Sequence, residues 1–289
     1  MIPTPPIIAR SRDLLQRYDV IFCDVWGVLH DGRRAFTPAC EALIAFREMK
    51  RSVVLVSNAP QPRERVAEIL DERGVPRSAW DAIVSSGDLA LDHVAERGYR
   101  RTLRIGPHPR SLPFFGRLPG EAASVGEAEA IVCTGLVDDT SETAESYRPL
   151  LAEARRRKLP FVCANPDLVV DVGGRLYLCA GAIAALYEEM GGEVFWAGKP
   201  HRPAYERAHA EAQMRLGRGV PLQSILAIGD ALRTDIAGAA AFGIDALLVA
   251  NGIHRHEIMS NGDLDRDRLA EALLRERLSI TAAIPALAW

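Results

Sequence analysis

Four short apolar runs in this chain each stop at a polar side chain able to do chemistry. Val20-Ile21-Phe22-Cys23 stops at Asp24, and Ser52–Val56 stops at Ser57-Asn58. Val194–Ala197 stops at Gly198-Lys199, and Ser224–Ile228 stops at Gly229-Asp230. Apolar runs without alternation read as strands buried on both faces, the habit of a parallel sheet covered by helices. Helical patterns separate them. One opens at Thr37-Pro38, with threonine read as cap and proline in the first turn, and runs to about Met49. Another turns Val66, Ile69 and Leu70 inward and stops at Gly74, and others cover Pro203–Leu216 and Thr234–Phe242. Such alternation predicts an α/β fold, a doubly wound parallel sheet. In such a sheet ligands sit beyond the carboxyl ends of the strands. The four terminating residues are therefore expected along one edge, around one cavity.

A second block interrupts the pattern. From Ser85-Ser86-Gly87-Asp88 onward the chain predicts a helix around Leu89–Arg97 and strands at Thr102–Ile105 and Ala130–Thr134. A long charged helix over Glu142–Arg157, a strand at Phe161–Ala164 and a helix over Gly181–Met190 follow. Gly106–Gly126, dotted with glycine and proline, reads as loop or short strand. The expected organisation is a core made of residues 1–84 and 195–289, with an α/β domain of residues 85–194 inserted between its halves. Ala246–Val249 is one more core strand, and the apolar tail Ile280–Trp289 is expected to pack on the core or on another subunit.

The chain's 289 residues suffice for this plan. A formal net charge of −3 argues against nucleic acid or an anionic membrane surface as the main partner. No apolar run approaches the ~20 residues of a membrane span. The proline-rich start, Met1-Ile2-Pro3-Thr4-Pro5-Pro6, lacks the basic and apolar regions of a signal peptide. The five cysteines form no CxxC pair, so free, buried thiols in a reducing compartment, the cytoplasm, are expected.

Each candidate residue has a bland reading beside the chemical one. Asp24 could close a surface turn, or it could bind a metal ion or attack a substrate. Ser57 could cap the following helix, which is compatible with phosphate binding. Thr234 reads as a helix cap, Asp235 as structural unless it meets Lys199, and Arg155-Arg156-Arg157-Lys158 as a solvated helix end. Asn165-Pro166-Asp167 reads as a turn first and a substrate-facing loop second, and Gly87-Asp88 is a second such loop. The histidines show no metal spacing, and His254 and His256 read as surface residues.

Taken in order, the strand ends resemble the four motifs of the haloacid dehalogenase superfamily, most of whose members are phosphatases. Asp24-Val25-Trp26-Gly27-Val28-Leu29 resembles the first motif, usually Asp-x-Asp-Gly-Thr/Val-Leu. Ser57-Asn58 and Gly198-Lys199-Pro200 match the second and third, and Gly229-Asp230-Ala231-Leu232-Arg233-Thr234-Asp235 matches the fourth fully. An insert between the second and third motifs resembles the class with a large α/β cap. Val54–Ala59, Asn165-Pro166-Asp167 and Trp196–Pro200 look like its branch with NagD, the nitrophenyl phosphatases and pyridoxal phosphate phosphatase. The resemblance implies a small phosphorylated metabolite as substrate and a cap that closes over the site. It also implies Mg2+ held by Asp24, Asp230 and the Trp26 carbonyl. Asp24 would attack phosphorus and form an aspartyl-phosphate. Ser57, Asn58 and the Trp26–Gly27 backbone would bind the phosphate and Lys199 its transferring oxygens, while Asp235 would orient Lys199 or a metal-bound water. Caps of this class often help form dimers, so a homodimer is among the expected assemblies.

One departure matters. Trp26 stands where superfamily phosphatases carry the Asp that protonates the leaving group and then activates water. Indole does neither near neutral pH, so a slow or selective phosphatase is expected, favouring leaving groups that depart as stable anions. His30 or Asp31, just beyond the motif, could swing in as a substitute acid. Two alternatives share the pattern: a non-catalytic phosphometabolite-binding sensor, and a dehalogenase, whose branch resembles this chain in an aromatic here. Dehalogenases work without magnesium, which the intact Gly229–Asp235 motif argues against.

Overall fold

The structure is a computed structural model that describes residues 5–289, so the expectation about the start at Met1–Thr4 lies outside the described residues. The chain divides into two compact units. The first holds the residues up to Ser57, Ala67–Val84 and Ala204–Trp289. Its centre is a six-stranded sheet in the order Ala282–Ile284, Asp245–Val249, Ile225–Gly229, Val20–Cys23, Ser52–Ser57, Ala82–Ser85. The strands around Val20–Cys23 run parallel to it, with Cys23 level with Ile228 on one side and Leu55 on the other. Val20–Cys23, Ser52–Ser57 and Ile225–Gly229 are buried along their whole length, which is why these runs carry no polar alternation. Asp24, Ser57 and Asp230 therefore leave three neighbouring strands at the same edge. The apolar tail supplies the sheet's last strand, Ala282–Ile284, paired with Leu247–Val249.

Two capping expectations are corrected here. The helix Thr37–Glu48 begins at Thr37 itself, with Phe36 as its cap and no side-chain cap bond. Pro38 lacks an N–H, so it fits the second helical position without loss. Thr234 does not cap a helix either. It lies inside a π-turn, Leu232–Ile236, that leads into the helix Ala237–Phe242.

The second unit comprises Asn58–Val66 and Ser85–Pro203. Its five-stranded sheet has the order Val194–Trp196, Phe161–Cys163, Ala130–Cys133, Arg101–Ile105, Glu121–Ala122, all parallel. Phe161, Leu151, Ile183 and Tyr187 form part of its buried core. The helix Ser86–Arg97 is capped by Ser85, whose Oγ accepts the Asp88 N–H at 3.1 Å, and it ends at Gly98. The expected helix over Glu142–Arg157 begins only at Arg148, after a 3-10 turn at Ala144–Tyr147. Pro149 accounts for this, because proline is tolerated only in a helix's first turn. Gly106–Gly126 contains a short helix, Leu112–Phe115, and the edge strand Glu121–Ala122. A hairpin, Val169–Val172 with Arg175–Leu178, turns through Gly173 and Gly174, both at positive φ.

Val194–Trp196 corrects a larger expectation. It pairs with Phe161–Cys163 in the second sheet, and the Ala197 N–H continues that pairing to the Cys163 carbonyl at 3.1 Å. Lys199 thus follows a strand of the second unit, not of the sheet that carries Asp24. A short apolar run does not encode which sheet it joins. The partner strand Phe161–Cys163 decides that. Among the described residues no helix is long and apolar enough to cross a membrane, and all five cysteines are buried and free.

Candidate active site

Three carboxylates converge at the sheet edge of the first unit. Asp24, Asp230 and Asp235 each offer an oxygen, and these atoms all lie within 4.8 Å of one another. Asp24 leaves its strand held by its own N–H on the Ile228 carbonyl at 2.8 Å, while its Oδ1 accepts the Val25 N–H at 2.7 Å. Asp230 is 5% exposed, and its Oδ2 accepts the Ile253 N–H at 2.7 Å. Gly27 and Gly252 both press on this carboxylate, since a Cβ on either would collide with Asp230 Oδ2. Gly27 also needs its freedom for a φ of +78°.

Asp235 is brought in by the π-turn. Its N–H reaches the Ala231 carbonyl at 3.0 Å, and its Oδ2 accepts the Ala231 N–H at 3.1 Å. Gly229 leaves room for the Asp235 carboxyl, which a Cβ would strike. The Tyr205 hydroxyl donates to the Asp235 carbonyl at 3.1 Å. Asp235 thus stands with the other two carboxylates rather than apart from them.

Two unit charges about 4 Å apart repel by about 4 kcal/mol at an effective dielectric constant of 20. Three such groups, two of them nearly buried, need a cation or a proton among them. An all-oxygen donor set suits a hard cation of the magnesium type. Asp24, Asp230 and Asp235 are the residues able to hold it.

Trp26 does not project freely. Its ring stands edge-on to His30, with centroids 5.2 Å apart, and lies so close over Gly32 that a Cβ there would meet the indole. The Gly27 N–H donates to the His30 carbonyl at 2.9 Å, closing the loop beneath it. His30 is 2% exposed, and burial pushes its pKa down to about 4. Its Nδ1 accepts the Gly32 N–H at 2.9 Å. The Asp31 Oδ1 accepts the Arg33 and Arg34 N–H groups, each at 2.9 Å, and these bonds hold its carboxyl below the usual range. Near pH 7 His30 is neutral and Asp31 ionised. Neither carries the readily lost proton that a substitute acid needs.

Ser57 ends its strand beside that of Asp24 and is 8% exposed. Asn58 and Lys199 belong to the second unit and are bound to each other. Asn58 Oδ1 accepts the Lys199 N–H at 2.8 Å, and Asn58 Nδ2 donates to the Lys199 carbonyl at 3.0 Å and to Asp167 Oδ1 at 2.8 Å. Lys199 is 3% exposed.

The loop after the strand Asp245–Val249 escaped the sequence reading. Gly252 and the Ile253 N–H hold Asp230, and the signal was there in a buried strand followed by Asn251-Gly252. His254 is not a plain surface residue. Its Nε2 accepts the Leu232 N–H at 3.2 Å, which leaves Nδ1 to donate to Glu257 Oε2 at 2.9 Å, so it braces the turn that delivers Asp235.

Comparison with known proteins gives this geometry a context. A family model described as haloacid dehalogenase-like hydrolase matches residues 21–110, and one described as HAD-hydrolase-like matches residues 196–275. The D-glycerol 3-phosphate phosphatase of Mycobacterium tuberculosis is 27% identical over 255 residues, covering 84% of this chain. This chain spans 66% of that relative's length, just under two thirds. NagD from E. coli K-12 shares the fold, with a TM-score of 0.64 at 20% identity, covering 94% of this chain and 97% of NagD. A hydrolase of the haloacid dehalogenase-like family from Brucella suis 1330 superposes with a TM-score of 0.85. It is 44% identical and covers 97% of this chain and 100% of its own. With that identity over nearly its whole length, the chain belongs to the haloacid dehalogenase-like hydrolases, with the NagD-like parallel-sheet fold.

Proposed function

We propose that this protein is a magnesium-dependent phosphatase of small phosphorylated metabolites, working through an aspartyl-phosphate. The observation that carries the reading is the meeting of Asp24, Asp230 and Asp235 within 4.8 Å at one sheet edge. It is supported by the phosphatase activity named for the M. tuberculosis relative. Magnesium, when bound, supplies positive charge that offsets the repulsion between a carboxylate nucleophile and a phosphate dianion. Asp24, Asp230 and Asp235 would hold that ion, with the Trp26 carbonyl as a further oxygen. An Asp24 oxygen attacks phosphorus, the ester P–O bond breaks, and the leaving oxygen departs with its electron pair. The Ser57 hydroxyl and the Gly27 backbone orient the phosphoryl group, and the ammonium of Lys199 neutralises its transferring oxygens. Water then cleaves the acyl phosphate.

With Trp26, a neutral His30 and an ionised Asp31 in this loop, the leaving group departs without a proton from these residues. Aryl and acyl phosphates are therefore the favoured class, and turnover of alkyl esters is slow. Five buried thiols suit a reducing cytoplasm, where such metabolites are found. A screen of phosphorylated metabolites and 4-nitrophenyl phosphate, with magnesium and with chelator, tests the reading. Magnesium-dependent phosphate release that disappears in Asp24→Asn is expected. Tight magnesium-dependent binding with no release from any ester would instead favour a sensor.

A further inference from the structure

We propose that Asp167 is a positioning residue that acts on Lys199 through Asn58. The inference rests on the proposed role of Lys199 in phosphoryl transfer. Asn58 meets the backbone of Lys199 as a neighbouring strand would, accepting its N–H and donating to its C=O, although the two residues lie 141 positions apart. A carboxamide serves this purpose only one way round, because flipping it would set its NH2 against the Lys199 N–H. Asp167 helps to fix that choice. An ionised carboxylate only accepts, so Asp167 Oδ1, 2.8 Å away, holds the NH2 end of Asn58. Both Asn58 N–H groups are then committed to protein partners, which removes them from any direct contact with substrate.

The turn that presents Asp167 is wedged in place. The Asp167 N–H donates to Asn165 Oδ1 at 3.1 Å. A Cβ on Gly181 would collide with the Pro166 and Asp167 carbonyl oxygens, so the helix Ala180–Glu189 seats directly on this turn. A Cβ on Gly198 would collide with Asn58 Oδ1 and stand 3.0 Å from Pro166 Cγ. The peptide just before Lys199 thus closes on Asn58 and Pro166 together. Asn58, Asn165-Pro166-Asp167 and Gly198-Lys199 come from three separate stretches of chain, and what they jointly fix is the backbone of one buried lysine. A short displacement of a group that binds a transition state can lower a rate by up to ~100-fold.

The test uses Asp167→Ala, Asp167→Asn, Lys199→Ala and the double variant Asp167→Ala/Lys199→Ala of the full chain. Hydrogen exchange at the Lys199 amide reports the network without any need for turnover. It should accelerate in Asp167→Ala and return toward the wild-type rate in Asp167→Asn, whose side-chain oxygen still accepts from Asn58. With 4-nitrophenyl phosphate, Asp167→Ala should lower kcat by about tenfold or more while KM changes little. In the Lys199→Ala background the same substitution should lower it no further. Unchanged exchange at Lys199, or losses that multiply in the double variant, overturns the positioning role. A Lys199→Ala protein as active as wild type overturns instead the phosphoryl-transfer role on which it rests.

Discussion

Two residues, Trp26 and Gly252, shape this site in different ways. Trp26, which the motif resemblance sets at the acid–base position, is committed to packing on His30 and Gly32. General acid–base catalysis typically contributes ~10²–10⁴-fold, so Trp26→Asp should raise the first-turnover rate of ester cleavage on an alkyl phosphate by up to that factor and on an aryl phosphate by much less. Equal gains on both esters, or none on either, would count against Trp26 as the limiting residue. Gly252 is the quieter of the two. Because Asp230 is fixed between Gly27, Gly252 and the Ile253 N–H, Gly252→Ala should displace the carboxylate. Apparent magnesium affinity, measured by activity titration, should fall about tenfold or more, as it does when the partners of metal ligands are lost. An unchanged titration curve would mean that Asp230 does not hold the ion. At this scale the sequence was read well where a residue type carries its own chemistry. Asp24 and Asp230 were legible as carboxylates after buried strands. The part of Gly252 was not, because a glycine that matters only by making room leaves no chemical signature.

At the scale of elements, legibility followed burial. Val20–Cys23, Ser52–Ser57 and Ile225–Gly229 are buried throughout and were evident as apolar runs. Val194–Trp196 is only half-buried and was evident as a strand from its unbroken apolar run, but its sheet was not, since membership is settled by which partner backbone lies alongside. The hairpin Val169–Leu178 was missed because its strands are half-buried or exposed, with no apolar period to read. Side-chain ties between elements are equally invisible from sequence. The Tyr18 hydroxyl, for instance, donates to Asp245 Oδ2 at 2.6 Å, fastening the entry of the central strand to the start of Asp245–Val249. Burial and Asp245 push the Tyr18 pKa from 10 up to about 12. A folded-state value above the unfolded one means that the bond's contribution is complete below about pH 10 and fades as pH rises through about 12. Tyr18→Phe should therefore lower stability to urea by about 1 kcal/mol at pH 8, with the difference shrinking above pH 11. A difference that is flat or grows with pH would contradict the assigned bond.

For the whole molecule, the proposed function has the folded first unit bind magnesium and Asp24 act as nucleophile. Binding to the native state alone stabilises by about 2.7 kcal/mol at a hundredfold excess over Kd. Magnesium should accordingly raise the melting temperature by roughly 5 °C in the wild type, and Asp230→Asn should lose most of that shift. An equal shift in both proteins would place the ion elsewhere. The consequence of Trp26 for the full reaction is sharper still. An aryl leaving group needs no acid, so on the proposed function the aspartyl-phosphate should form readily. Its hydrolysis lacks the usual base, so it should persist. The most direct measurement is acid-quenched mass spectrometry after mixing the protein with 4-nitrophenyl phosphate and magnesium. A phosphoryl group is expected on the peptide that contains Asp24, absent with chelator and absent in Asp24→Asn. Nitrophenol release with that peptide unmodified at every time sampled, or the same modification in Asp24→Asn, would contradict it.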